Sequence, residues 1–208
     1  CVLKACGSLG DLDKGWKIHA QISTKKGELE RGLLIGCALI DMYVKCRCLT
    51  RAFSVSNNLF ARDVVSWTTL ITGYVKHGHA EEALIVYEKM QLDNVASNSV
   101  TLVACLKACG MIEGKEMYTE VMKKGLLETD LNIGNALIDM YAKCGHLKKA
   151  RKVFDRLPVR DVISWNALIT GYIKWEDGKE VLNCYENMQF QGISPDPVTY
   201  LCCLKACG

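Results

Sequence analysis

The sequence predicts an all-α fold, an α-solenoid built from stacked antiparallel helix pairs. Three observations lead to this prediction: strings of residues recur along the chain, apolar residues within each unit follow a helical period, and strand patterns are absent. A single helix pair cannot bury its apolar faces alone, so neighbouring pairs must stack. The first helices of the pairs should then line one surface.

The internal repeat has two levels. The recurring strings are LKACG at 3–7, 106–110 and 204–208, ALIDMY at 38–43 and 136–141, and RDVVSW at 62–67, which returns as RDVISW at 160–165. The second and third strings return after 98 residues. Shorter steps of little more than thirty residues divide this long period into three alternating types of unit.

Each unit contains the pattern of two amphipathic helices. In residues 64–76, the side chains of Trp67, Ile71 and Tyr74 recur at helical spacing and mark one face of a first helix. Residues 80–91 carry an equivalent apolar face with charged residues elsewhere. A turn is expected between the two helices.

Composition favours a chain without a membrane span. Half of the residues are apolar, but charged residues interrupt every hydrophobic stretch, and the net charge is only +3. The twelve cysteines are scattered through helical patterns, which predicts reduced, mostly buried thiols. The chain begins at Cys1 with neither an initiator Met nor a targeting peptide, so we expect a fragment of a longer protein.

No combination of residues predicts a metal site or a catalytic centre. The closely spaced cysteines do not form the paired Cys-x-x-Cys arrangement of structural zinc. The histidines lack a recurring carboxylate or thiol partner. The residues considered are Cys46 with Cys48, Cys105 with Cys109, Cys202 with Cys203, and His19, His77, His79 and His146. We therefore expect no cofactor, no metal and no enzymatic activity in this chain.

The units resemble the motifs of plant pentatricopeptide repeat proteins, in the subclass that alternates medium, long and short motifs. RDVVSWTTLITGY with EEALIVYEKM resembles the medium motif, IGNALIDMYAKCGHLKKARKVFDRLP the short motif, and VTLVACLKACG the long motif. The resemblance covers essentially the whole chain. It divides the chain into a partial long motif at 1–32, short at 33–63, medium at 64–98, long at 99–130, short at 131–161, medium at 162–196 and a partial long motif at 197–208.

The resemblance implies sequence-specific binding of single-stranded RNA, with one base read per motif. In the family, the fifth residue of the first helix and the last residue of the motif contact the base edge. The corresponding pairs are Cys37 with Asp63, Thr68 with Asn98, Asn135 with Asp161, and Asn166 with Asp196. The Thr–Asn pair implies adenine and both Asn–Asp pairs imply uridine. Two residues depart from the pattern, namely Cys37, a weak hydrogen-bonding group, and Val103 of the long motif, so no base is assigned to their motifs. The five complete motifs together imply an RNA core with the sequence N-A-N-U-U.

Two further sets of residues are expected to contact RNA. Val65 and Ile163 are second in their motifs and suit packing against base faces, whereas Asn132 departs from this pattern. Four lysines stand at position thirteen of their motifs, in register, and are expected to contact phosphates. They are Lys45, Lys76, Lys143 and Lys174.

Two alternatives remain open. Asp63, Asp161 and Asp196 each precede a first helix, where Asp is also a preferred N-cap, and the two roles are compatible. A protein-binding scaffold of the tetratricopeptide type would stack helix pairs similarly without reading RNA. The resemblance otherwise implies a mitochondrial or chloroplast location, an organelle transcript as ligand, and editing or processing factors as partners. It implies neither a membrane nor a small-molecule substrate.

Overall fold

A computed structural model describes residues 2–24, 32–59 and 62–207, without the side chains of 111–113. Within these ranges the chain is helical and contains no strand. The fourteen helices are α1 Val2–Leu9, α2 Leu12–Thr24, α3 Leu33–Lys45, α4 Leu49–Asn58, α5 Val64–Lys76, α6 Ala80–Leu92, α7 Ser99–Ala108, α8 Met111–Lys123, α9 Leu126–Thr129, α10 Leu131–Lys143, α11 Leu147–Arg156, α12 Val162–Lys174, α13 Gly178–Phe190 and α14 Pro197–Cys207. The predicted all-α class is confirmed.

The helices form two compact units, Cys1–Ala108 and Cys109–Gly208. In the first unit, the first helices α1, α3, α5 and α7 pack side by side in that order, and α3 and α5 each also pack on the second helix of their own pair. In the second unit, α10, α12 and α14 form the corresponding row, with α11 and α13 as second helices. Short connections make the two helices of each pair antiparallel.

Large side chains from both helices of a pair fill the core of each unit. Trp67 in the first unit and Trp165 in the second occupy the same position of their first helices, and both are almost completely buried. The ring of Phe154, on a second helix, meets the ring of Trp165 edge-on at a centroid distance of 4.5 Å. Each such aromatic side chain removes a large apolar area from water, and this burial stabilises the stack.

Close packing between neighbouring first helices depends on a glycine in each medium motif. A Cβ atom on Gly73 would lie 2.6 Å from Cγ1 of Val44, and one on Gly171 would lie 2.5 Å from Cβ of Ala142. Both distances are shorter than real carbon contacts allow. The two glycines therefore set how closely α5 approaches α3, and how closely α12 approaches α10.

The turn between the helices of a pair uses left-handed backbone at one fixed position. Gly78 and Gly145 have φ of 82° and 77° there. In two other pairs the same position holds Arg47 and Glu176, each with φ of 59°. Glycine adopts this conformation without the steric cost that a side chain adds, so Gly78 and Gly145 form the less strained turns.

Several expectations from composition can be compared with this fold. The described cysteines form no disulfide, and only Cys6, Cys105, Cys184 and Cys202 among them are buried, so the expectation of mostly buried thiols was wrong. Burial raises the pKa of the Cys184 thiol to about 12, so this cysteine is protonated at neutral pH. Among the described residues, no helix combines the length and apolar character needed to span a bilayer.

Candidate nucleic-acid interface

The last residues of four motifs stand directly before first helices and cap them. Asp63 and Asn98 precede α5 and α7 in the first unit, while Asp161 and Asp196 precede α12 and α14 in the second. Each side chain accepts the backbone N–H of the residue three positions later. The four distances are 2.8 Å to Ser66, 2.9 Å to Thr101, 2.8 Å to Ser164 and 2.9 Å to Thr199. The capping role weighed from the sequence for Asp63, Asp161 and Asp196 is therefore present, and Asn98 caps its helix in the same way.

The second medium motif brings its two candidate base-reading residues into direct contact. Asn166 Nδ2 donates to Asp196 Oδ1 at 2.9 Å, and Asn166 Oδ1 accepts from the Thr199 hydroxyl at 2.7 Å. Hydrogen bonds lower the pKa of the Asp196 carboxyl from its ordinary value. The largest effect comes from the Thr199 N–H and the next from the Asn166 amide. Asp196 is therefore a carboxylate at neutral pH.

In the first medium motif, Thr68 and Asn98 are linked through a third side chain. The hydroxyl of Thr101 lies 2.6 Å from the hydroxyl of Thr68 and donates to Asn98 Oδ1 at 2.8 Å. Asn98 Oδ1 also accepts the Thr101 N–H, which identifies it as the oxygen of the amide. Asn98 Nδ2 therefore points away from this network as a hydrogen-bond donor.

The two short motifs lack such a link. Asn135 is buried, and its Oδ1 has no hydrogen-bond partner among the residues that the structure describes. Asp161 Oδ1 accepts instead from the N–H and hydroxyl of Ser164. Cys37 is partly buried. Burial raises the pKa of its thiol, and the nearby charge of Asp63 raises it further by a smaller amount. A neutral thiol is a weak hydrogen-bonding group.

The second residue is exposed in each first helix that begins at a motif start, namely α3, α5, α7, α10, α12 and α14. Val65 and Ile163 leave 54% and 59% of their surface accessible, although both are apolar. Three residues at the same position were missed in the sequence, although motif position alone would have identified them. They are Leu34, Val100 and Val198, at 88%, 59% and 49% exposure. Asn132, also exposed, is the polar exception.

The four candidate phosphate-binding lysines are exposed at the last residue of their first helices, two in each unit. They differ in their partners. Lys45 pairs with Asp41 and Lys143 with Asp139, each at 2.6 Å. Lys174 Nζ donates to the backbone carbonyl of Lys143 at 3.1 Å. The charges of Lys45 and Lys143 are partly compensated, so the four lysines are not equivalent.

The side chains at the starts of the first helices suit hydrogen bonding and apolar packing. No cluster of three or more His, Cys, Asp or Glu side chains able to hold an ion exists in the part of the chain that the structure describes. The groups at the first helices include amides, hydroxyls, the carboxyl groups of the three capping aspartates and exposed aliphatic side chains. The polar groups can form hydrogen bonds with the edges of nucleobases, and the aliphatic side chains can pack against their faces.

Comparison with solved structures identifies the fold. The pentatricopeptide repeat protein PPR10, in complex with an 18-nt psaJ RNA element, superposes with a TM-score of 0.74. The two chains are 19% identical, and the match covers 98% of this chain and 31% of that one. This likeness confirms the predicted solenoid class.

Curated relatives and family models agree with that fold. Pentatricopeptide repeat-containing proteins of Arabidopsis thaliana match almost this whole chain: one at 40% identity over 28% of its own length, a mitochondrial one at 38% over 20%, and a chloroplastic one at 37% over 34%. The chain thus spans a fifth to a third of these relatives. Models described as the PPR repeat family match residues 62–111 and 160–208, and one for the PPR repeat matches 135–162. Together these models cover more than half of the sequence, and the chain therefore belongs to the pentatricopeptide repeat family.

Proposed function

We propose that this chain binds single-stranded RNA and reads one base with each competent motif. The observation that carries the proposal is the hydrogen bond between Asn166 and Asp196, which joins the fifth and last residues of one motif. The solved PPR10 structure contains RNA, and its fold is shared by this chain. In this proposal the bases follow the motifs in order, as N-A-N-U-U from the 5′ end.

The groups left unused by internal hydrogen bonds suit the proposed bases. Asn166 keeps a second N–H and Asp196 keeps Oδ2, so this pair offers one donor and one acceptor. The O4 and N3–H groups of uridine complement that pattern. In the first medium motif, Asn98 Nδ2 can donate to N1 of adenine, while the Thr68 hydroxyl can accept from its amino group.

The remaining contacts would be independent of sequence. The exposed side chains of Val65 and Ile163 can pack against base faces. Lys76 is exposed at the end of α5, the helix that also carries Thr68, and can contact a phosphate. Cys37 with Asp63, and Asn135 with Asp161, would contribute less than the medium motifs, because the structure does not join their reading groups.

The wider role is also part of the proposal. We infer that the motifs alternate as short, medium and long units with the boundaries given above, as in the editing and processing proteins of the family. The chain would then place an editing or processing activity on an organelle transcript, in a mitochondrion or a chloroplast. Arabidopsis relatives with mitochondrial and chloroplastic names support that location. In this role the chain supplies recognition, and catalysis belongs to another part of the full protein or to a partner.

A competition experiment tests the proposed function. The 208-residue chain is bound to a labelled single-stranded RNA carrying the N-A-N-U-U core, and unlabelled RNAs with single-base changes compete for it. We expect changes at the adenine and the uridines to weaken competition, and changes at the first and third bases to have little effect. A protein-binding scaffold would bind all RNAs equally weakly, and that result would overturn the proposal.

A further inference from the structure

Each medium motif is followed by a motif whose third residue is a threonine. The hydroxyl of this threonine contacts both candidate base-reading residues of the medium motif. Thr101 Oγ1 lies 2.6 Å from Thr68 Oγ1 and 2.8 Å from Asn98 Oδ1. Thr199 Oγ1 lies 2.7 Å from Asn166 Oδ1 and 3.0 Å from Asp196 Oδ1. The same arrangement therefore occurs once in each compact unit, around reading pairs of different chemistry.

The two threonines are held rigidly. Both side chains are completely buried at the start of a first helix, and their backbone N–H groups are fixed on the capping residue. After the short motifs, the equivalent residues are serines. The Ser66 hydroxyl donates to the backbone carbonyl of Asp63, and the Ser164 hydroxyl donates to Asp161 alone. Contact with both reading residues is therefore a property of the two threonines.

In the first unit, this contact fixes which hydroxyl donates. A threonine hydroxyl has one proton, and that of Thr101 is used on Asn98 Oδ1, which can only accept. The short contact between the two hydroxyls is then satisfied when Thr68 donates to Thr101. The Thr68 hydroxyl consequently presents lone pairs to a base, and Asn98 Nδ2 presents a donor.

In the second unit, the contact fixes the orientation of an amide. The Asp196 carboxylate can only accept, so the amide group of Asn166 that faces it is Nδ2. Asn166 Oδ1 then faces Thr199, whose hydroxyl donates to it. Without that donor, only the bond to Asp196 restrains the amide, which can then turn away from the position in which it presents its second N–H to the base.

We propose that Thr101 and Thr199 are positioning residues that set the base specificity of the preceding medium motif by fixing the donor and acceptor pattern of its reading pair. This inference rests on the proposed function, because a specificity can be set only if the chain reads bases. Each threonine should control one base. Thr101 should govern the adenine read by Thr68 and Asn98, and Thr199 the uridine read by Asn166 and Asp196.

The test replaces each threonine with valine, which has nearly the same shape and keeps the capping N–H. The measurement is the competition among four RNAs differing at one base. Thr101→Val should reduce the preference for adenine by on the order of fivefold, the factor that one hydrogen bond of ordinary net strength contributes, and leave the uridines unchanged. Thr199→Val should reduce the preference for uridine at the last read base, and leave the adenine unchanged.

Three controls separate this role from a loss of packing. Thr101→Ser and Thr199→Ser keep the hydroxyl and should keep the wild-type ranking. Ser66→Ala removes a buried hydroxyl that donates to a backbone carbonyl, and it should leave the ranking at the adenine and the uridines unchanged. Helical circular dichroism and the thermal midpoint establish that every variant is folded.

The outcomes distinguish the inference from the proposed function. If the wild-type chain does not rank the four bases at either position, the proposed function fails. If the wild type ranks them and the folded valine variants rank them identically, the inference alone is overturned. An equal change of ranking in the serine and valine variants would also overturn it, because the hydroxyl would not be the cause.

Discussion

Asn166 and Asp196 stand 30 residues apart in the sequence, yet Asn166 Nδ2 donates a hydrogen bond of 2.9 Å to Asp196 Oδ1. The bond crosses from the fifth residue of α12 to the residue that caps α14, so it exists only because neighbouring first helices pack side by side. It orders two polar side chains before any ligand arrives. Groups that are already ordered lose less conformational entropy on binding.

The first prediction concerns the ionisation of Asp196. Its pKa is lowered by hydrogen bonds from the Thr199 N–H and the Asn166 amide, so the stabilisation is present at neutral pH and disappears as the pH falls through the lowered pKa. Asn166→Ala should raise the pKa of Asp196 towards its ordinary value, while the Thr199 N–H keeps part of the shift. NMR titration of the side-chain carboxyl carbon measures this, and an unchanged pKa would show that the Asn166 contact is absent in solution.

The second prediction concerns the lysines. Neutralising Lys45, Lys76, Lys143 and Lys174 with glutamine should weaken binding to every RNA. The slope of log affinity against log salt should fall by about 0.7 for each phosphate that a lysine no longer neutralises. Lys76→Gln should have the largest single effect, since Lys45 and Lys143 are paired with aspartates. Affinities measured over a series of salt concentrations provide the slope.

The ion pairs supply a matched control for the lysines. Asp41→Asn and Asp139→Asn release Lys45 and Lys143 and should strengthen RNA binding without changing the ranking of bases. A salt slope that is the same in the wild type and in the fourfold glutamine variant would remove the phosphate role.

The third prediction concerns the spacing of first helices in the second unit. Gly171→Ala would place a Cβ atom 2.5 Å from Cβ of Ala142, and neither group is a flexible side-chain end. We expect the unfolding free energy to fall by about 1–3 kcal/mol, the usual cost of overpacking. Thr170→Ala changes an exposed neighbour on the same helix and should stay within about 0.5 kcal/mol of the wild type in urea unfolding. Equal stability of the two variants would contradict this close approach.

Most of the fold was predictable from the sequence, because the repeat and the capping residues are local signals. Six first helices begin at the residues at which the family resemblance placed the motif starts, which are Leu33, Val64, Ser99, Leu131, Val162 and Pro197. The short helix Leu126–Thr129 was not foreseen. It follows Gly125, whose left-handed backbone begins the segment, and a four-residue helix has too few residues for an apolar period to identify it.

The candidate site was less predictable than the fold. Motif position identified Asn166 and Asp196, but which hydrogen bonds each side chain makes depends on how closely two helices approach. Asn135 and Asp161 have the same residue types at the same positions, yet the structure does not join them, and Asn135 Oδ1 has no partner within the described part of the chain. The pairing of Lys45 with Asp41 is different, since its spacing of four residues on one helix was visible in the sequence.

Asn98→Asp tests the reading of bases most directly, because it changes one reading group and keeps the cap. The carboxylate can still accept the Thr101 N–H, so α7 should remain capped. It cannot replace the Nδ2 donor for N1 of adenine, but it can accept from the imino and amino groups of guanine. The measurement is a competition among four RNAs that differ only at the second base of the core. We predict that the wild type prefers adenine and that the variant shifts towards guanine with both uridine preferences unchanged, whereas identical rankings in the two proteins would contradict base reading by Thr68 and Asn98.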